Sequence, residues 1–210
     1  MNELPNIILI SPPTQKAGEI GMLTQFFELG LQRFHLRKPD YSEEHLSEYL
    51  NQIPQHYLSR IVVHRAPQLL SEFPLAGYHH TSTESIHDVQ GTCSRSLHKF
   101  SELKNLTENL DYVFFGPVYH SISKKGYSPK VSFNEIFTFF KSGRLNKLER
   151  TPKVFALGGI RKNKMKRLTE AGFDGVALLG SIWGSRDPLR ALNEFLKMDN
   201  TSMINNRQIV

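Results

Sequence analysis

Two short apolar runs in this chain end in bare backbone. "KVFALGG" (153–159) finishes on Gly158-Gly159, and "GVALLGS" (175–181) finishes on Gly180-Ser181. Such endings leave main-chain N–H groups uncovered, and with the N-terminus of a following short helix those groups bind phosphate. A tight turn would explain the first pair but not its companion one run later. Other apolar runs end in residues of complementary chemistry: His35, Arg37 and Lys38; His64 and Arg65; His79 and His80, with Glu84 shortly after; Ser96 and His98. A further run continues into "VYHSISKKG", which carries His120, Ser121, Ser123 and Lys124. Cations, hydroxyls, imidazoles and naked amides dominate, carboxylates are scarce, and the set is suited to holding an anion. Imidazole is also the group whose ordinary pKa fits proton transfer near neutrality. His80 follows His79 on an extended run and so faces the opposite side.

Something must bring these ends together. The apolar runs recur at 6–11, 33–37, 60–64, 77–81, 92–96, 112–117, 153–159 and 175–181. Between most of them lie stretches of helical period, such as "SEEHLSEYLNQI", "FSELKNLTENL", "SFNEIFTFFKS", "KNKMKRLTEAG" and "DPLRALNEFLK". Ser42 ahead of Glu43-Glu44, Gly172 just past a helical stretch and Pro188 after Asp187 are helix start and stop signals. Strand–helix alternation without long polar linkers argues for a parallel sheet of βα units. Eight strands with their crossovers are the count of a TIM (β/α)8 barrel, compact at 210 residues against about 250 for a typical one. An open doubly wound sheet is the alternative. In a barrel, function gathers at the C-terminal strand ends, where all the residues named above lie. The expected organisation is one domain over 1–198, followed by a polar, aperiodic tail over 199–210 that should fray.

Composition bounds the function. A 210-residue chain that is 39% hydrophobic can bury one good core. It contains no run of 18 apolar residues, so no transmembrane helix is expected. The start, "MNELPNIILISPP", lacks a basic leader and reads as a first strand rather than a signal peptide. A lone cysteine, Cys93, suits a reducing cytoplasm and a small strand residue better than a nucleophile. Net charge is +6, and segment 141–167 holds ten Lys or Arg against the single acid Glu149. Without interleaved aromatics this block reads as solvated helix faces rather than a nucleic-acid footprint.

The pieces "HLR", "RSLH", "DYVFFGPVYHSISKK", "ALGGI…N" and "GVALLGSI" fall in the order and spacing of the thiamine phosphate synthase family, which includes the TenI-like thiazole tautomerases. The chain resembles that family from residue 6 to about 197. The resemblance implies a TIM barrel in which Gly158, Gly159, Gly180 and Ser181 hold a thiazole phosphate. For a synthase it also implies hydroxymethylpyrimidine pyrophosphate as second substrate and Mg²⁺ as cofactor. Arg37 then falls on the pyrophosphate-binding arginine and Lys124 on the lysine that ends a hydroxyl-rich loop. Ser121 and Ser123 take the two threonine positions of that loop, and Ser96 and His98 match a serine-x-histidine. A rim salt bridge is the competing reading of Arg37, and an ordinary loop hydroxyl that of Ser123.

Departures from the pattern carry equal weight. His64-Arg65 stands where a synthase has Asn-Asp, so an arginine replaces one magnesium carboxylate and repels a cation. Glu84 matches the other metal carboxylate, and Pro39 replaces a second basic residue for which Lys38 is the nearest substitute. These losses tilt the expectation towards a metal-free thiazole tautomerase, with synthase as the alternative and a non-catalytic thiazole-phosphate binder as a third reading. Tautomerisation needs an acid/base, and the histidine tautomerases use aligns with Pro117. His120 is the nearest replacement, with His35, His64, His79 and His98 as further candidates. No nucleic acid or membrane partner is expected, the location is cytoplasmic, and a homodimer is compatible with the sequence.

Overall fold

The computed structural model describes residues 4–81, 83–86, 89–107, 109–120, 131–142 and 151–206, with side chains described as far as 198. Eight parallel strands close in sequence order: β1 (Ile7–Ile10), β2 (Phe34–Leu36), β3 (Ile61–His64), β4 (Gly77–His80), β5 (Thr92–Leu97), β6 (Tyr112–Phe115), β7 (Lys153–Leu157) and β8 (Gly175–Leu178), with β8 pairing back to β1. Helices pack around them: α1 (Glu19–Glu28), α2 (Glu43–Asn51), α3 (Leu69–Glu72), α4 (Phe100–Lys104), α5 (Phe133–Lys141), α6 (Met165–Ala171), α7 (Gly180–Trp183) and α8 (Pro188–Asn206). This is a TIM barrel, and the open-sheet alternative is excluded by the β1–β8 ladder.

The capping signals act as expected. Ser42 Oγ accepts from the His45 amide, Gly172 ends α6 at φ 99°, and the Asp187 carboxylate accepts from the Arg190 amide at the start of α8. That last helix runs to Asn206, beyond the point where apolar periodicity stops. Two strands end earlier than their apolar runs: β7 stops at Leu157 and β8 at Leu178, so both glycine sites lie in the connections rather than on the sheet.

Strand alternation divides the core into two layers. Outward residues such as Leu9, Leu36, Val63, Val113, Ala156 and Val176 pack beneath the helices. Inward residues Ile8, Ile10, Tyr112, Phe114, Phe155 and Ala177 fill one side of the barrel interior with hydrocarbon. On β2 to β5 the same inward positions carry His35, His64, His79, Ser94 and Ser96, whose polar atoms bond one another inside the barrel. A strand covered on both faces is expected to be apolar throughout. The break in that rule marks the polar side of the barrel.

Candidate active site

The C-terminal strand ends surround a cavity of about 420 Å³. Its lining includes Arg37, Lys38, His64, Arg65, His79, His80, Ser96, His98, Gly158, Gly159, Gly180 and Ser181, so twelve of the residues singled out in the sequence meet in one place. Phe114 and Ile10 supply apolar wall.

One pole of the cavity is backbone. Gly158 and Gly159 have φ of +94° and +65°, a region that L side chains rarely adopt. A Cβ at Gly158 would come 2.8 Å from Pro117 Cβ, and one at Gly159 would come 2.7 Å from Tyr119 Cβ and nearer still to the His120 carbonyl. The carbonyls of Leu157 and Gly158 accept from the Val118 and Tyr119 amides. The glycines therefore let the connection after β6 lie directly against the one after β7. Their own amides, like those of Gly180 and Ser181 in the first turn of α7, find no acceptor among the described hydrogen bonds. α7 is held in place by its last residue: Trp183 donates Nε1–H to the Ile10 carbonyl at 2.9 Å and packs edge-on against Phe26.

The opposite pole is cationic. Ser11 fixes the backbone of Arg37 from both sides, its Oγ accepting the Arg37 amide at 2.8 Å and donating to the Arg37 carbonyl at 2.9 Å. Arg65 and Ala66 both have left-handed backbone, φ 60° and 49°, which costs about 1–2 kcal/mol at each non-glycine position. This turn carries the Arg65 side chain to the cavity, where one NH₂ group donates to the Pro39 carbonyl at 2.9 Å. Lys38 is not the free substitute that its position suggested. Its ammonium is buried and bound to both oxygens of Glu19 at 2.7 and 2.8 Å, and Tyr49 Oη–H and the Lys16 amide donate to the same carboxylate.

Between the poles lies an imidazole floor. His35 Nδ1 and His64 Nε2 share a hydrogen bond of 2.9 Å, and His35 Nε2 meets Tyr112 Oη at 2.7 Å. His79 is held by Ser94 at 2.8 Å and Ser96 at 3.0 Å, and its ring stacks on His64. Burial keeps all three neutral at pH 7. It lowers His79 to about 3, with His80, Arg37 and Arg95 adding to the effect. His35 is depressed by burial, then by His79 and Arg33. His64 is depressed by burial, then by the two other imidazoles, then by Arg37 and Arg65. Tyr112 is pushed up to about 12, chiefly by burial, so it stays a phenol. His98 differs. Its Nδ1 lies 2.6 Å from the Gly116 carbonyl, which only accepts, so a neutral His98 carries its lone pair on Nε2.

Other sequence expectations fall elsewhere. His120 is exposed and does not line the cavity, although its carbonyl touches the Gly159 position. Ser121, Ser123 and Lys124 lie outside the described residues. His80 borders the cavity, but its ring lies edge-on to Tyr78 of the outward layer. The Glu84 carboxylate is occupied by Tyr78 Oη–H at 3.0 Å and the Thr81 amide at 3.0 Å, and its carbonyl accepts from Arg95. Magnesium demands oxygen ligands in an octahedral shell. Among the described residues no carboxylate lines the cavity; its side-chain oxygens are the neutral hydroxyls of Thr81, Ser96 and Ser181, and its lining carries two guanidiniums. These residues do not fit magnesium. The three histidines keep ligand nitrogens within 4.8 Å of one another, but both nitrogens of His35 and of His79 and Nε2 of His64 are engaged with Tyr112, Ser94, Ser96 and each other. Acids are instead used at the far end of the barrel, where Asp111 and Asp174 accept the Cys93 and Val154 amides.

Sequence reading missed Ser11, Ser94 and Tyr112. Their signal was available in strand alternation, since Ser94 and Tyr112 share the inward parity of His79 and Phe114.

Comparison with known proteins agrees with this geometry. Among curated sequences the chain is 33% identical over 84 residues to a thiamine-phosphate synthase of Thermoplasma acidophilum, covering 40% of this chain and 36% of that one. It is 32% identical over 108 residues to one of Salinibacter ruber, covering 51% and 43% respectively. The matched stretches thus span well under half of those relatives' own length. A solved thiamine phosphate pyrophosphorylase from Bacteroides thetaiotaomicron superposes with a TM-score of 0.78 at 29% identity, over 93% of this chain and 98% of that one. One from Pyrococcus furiosus, at 16% identity and a TM-score of 0.74, shares the fold. The profile of the family described as thiamine monophosphate synthase matches residues 7–182, and the chain belongs to that family.

Proposed function

We propose that this protein is a thiamine phosphate synthase, which joins a thiazole phosphate to hydroxymethylpyrimidine pyrophosphate. The observation that carries the reading is the two-pole cavity. Unclaimed amides of Gly158, Gly159, Gly180 and Ser181 form one anion site, and Arg37 and Arg65 form a second, with no described carboxylate between them. Two phosphorylated substrates need two such poles. The relatives named above favour coupling over the tautomerisation that the lost metal carboxylate suggested.

In the coupling, the C–O bond between the pyrimidine methylene and pyrophosphate breaks, and the oxygen keeps the electron pair. A cation is left on the pyrimidine, and the thiazole nitrogen closes a new C–N bond. The protein must stabilise charge of both signs. The arginine pole suits the departing anion. For the cation, the Phe114 ring and the neutral imidazoles of His64 and His79 offer electron density without a repelling charge, which is the chemical use of their lowered pKa.

Product formation from the two substrates tests the reading, in excess Mg²⁺ and in EDTA. Turnover in either condition supports it; no product from protein that binds both substrates overturns it. One observation favours a second reading, a thiazole tautomerase: His98 lines the cavity with its Nε2 lone pair fixed by the Gly116 carbonyl. Aromatisation of a carboxythiazole phosphate, lost in His98→Gln, would establish that alternative.

A further inference from the structure

We infer that Arg37 and Arg65 together stabilise the departing pyrophosphate in place of a divalent metal ion. The inference rests on the synthase reading of the same cavity and goes beyond it by assigning the charge neutralisation to the protein.

Three independent features point the same way. First, the described lining offers a hard cation no anionic ligand: its side-chain oxygens are the neutral hydroxyls of Thr81, Ser96 and Ser181, and Glu84 is committed to Tyr78 and Thr81. Second, two guanidiniums carry the same formal charge as the dication they would replace, and their planar forks match phosphoryl oxygens. Both line the cavity, and both depress the same imidazole, His64, so their charges converge on one region. Third, each is positioned by specific local structure. Ser11 clamps the amide and carbonyl of Arg37, and a strained left-handed pair of residues delivers Arg65, whose fork is steadied by the Pro39 carbonyl. Left-handed non-glycine backbone persists where the surroundings enforce it, commonly at sites of function.

The chemistry balances without a metal. The C–O bond electrons go to the leaving oxygen, the new C–N bond takes its pair from the thiazole nitrogen, and no proton or redox partner is required. A guanidinium stays charged throughout the accessible pH range, so this stabilisation does not depend on ionic conditions in the way a loosely held magnesium would.

Inorganic pyrophosphate is the probe, titrated calorimetrically into wild-type protein in EDTA and in excess Mg²⁺. Binding in EDTA is expected, with affinity changed less than about threefold by Mg²⁺ and weakened about tenfold or more by Arg65→Ala. Arg65→Lys, which keeps charge but not the fork, should fall between the two, and unchanged melting of both variants excludes misfolding. Arg65→Asp should bind pyrophosphate only with Mg²⁺, by restoring a carboxylate to the cavity. Pyrophosphate binding that requires Mg²⁺ in the wild type, or is indifferent to Arg65→Ala, overturns the inference while leaving the synthase reading intact. Failure of the wild type to bind pyrophosphate under both conditions overturns both.

Discussion

Lowering the pH from about 7.5 to about 5 titrates histidine while leaving most carboxylates charged. In the unfolded chain an imidazole takes up its proton near 6.5; in the folded protein His79 resists protonation down to about 3. Between those values the unfolded state binds a proton that the folded state refuses. Stability therefore rises with pH across the window and is lost on acidification, by about 1.4 kcal/mol per pH unit per histidine. At a pH of about 5 His79 alone removes about 2 kcal/mol. His35 and His64 are shifted in the same direction, which sets a ceiling of about 6 kcal/mol for the cluster. That is comparable with the whole stability of an ordinary domain, about 5–15 kcal/mol. Urea unfolding followed by circular dichroism and by the fluorescence of Trp183, the single tryptophan, measures the loss directly. The slope below a pH of about 6.5 should approach three protons and drop by about one in His79→Asn. An unfolding free energy that stays flat over this window would refute the reasoning, because it would mean that the three rings are not held neutral.

Three further outcomes follow from other parts of the molecule. Ser181→Asp places a carboxylate in the first turn of α7, where the helix tolerates acid, and should weaken thiazole-phosphate binding about 100-fold without lowering the melting temperature; unchanged affinity would remove Ser181 from the phosphate pole. Gly159→Ala meets both a left-handed φ and the connection at Tyr119 and His120, so denaturant titration should show a loss of about 2–5 kcal/mol, and near-wild-type stability would mean that this connection yields. Glu19→Ala strands the buried Lys38 ammonium and should cost about 3–5 kcal/mol, whereas a loss below about 1 kcal/mol would show that Lys38 escapes to water.

Much of this protein was readable along the chain. Eight apolar runs separated by helical stretches determine a parallel βα sheet, because each run must be buried on both faces and each amphipathic helix on one, and their number points to a barrel that only the β1–β8 pairing closes. Ser42, Gly172 and Asp187-Pro188 mark helix ends through local chemistry that needs no tertiary partner. Barrel topology then sends the strand ends to one face, so the meeting of Arg37, His64, His79, Ser96, His98 and the two glycine sites was also implicit. Partnerships were not. Lys38 and Arg65 are both basic residues just beyond a strand, and nothing local separates them; only packing buries Lys38 against Glu19 on α1 while a left-handed turn turns Arg65 to the cavity. Gly158 and Gly159 looked like room for a ligand, yet their missing side chains first make room for Pro117, Tyr119 and His120. The protonation of the histidines was equally hidden, since desolvation depends on what surrounds a ring from every side and not on its neighbours in sequence. Sequence alone decides which residues reach the mouth of the barrel; three-dimensional packing decides which of them are left free to meet a substrate, because buried charges and polar groups must first satisfy one another.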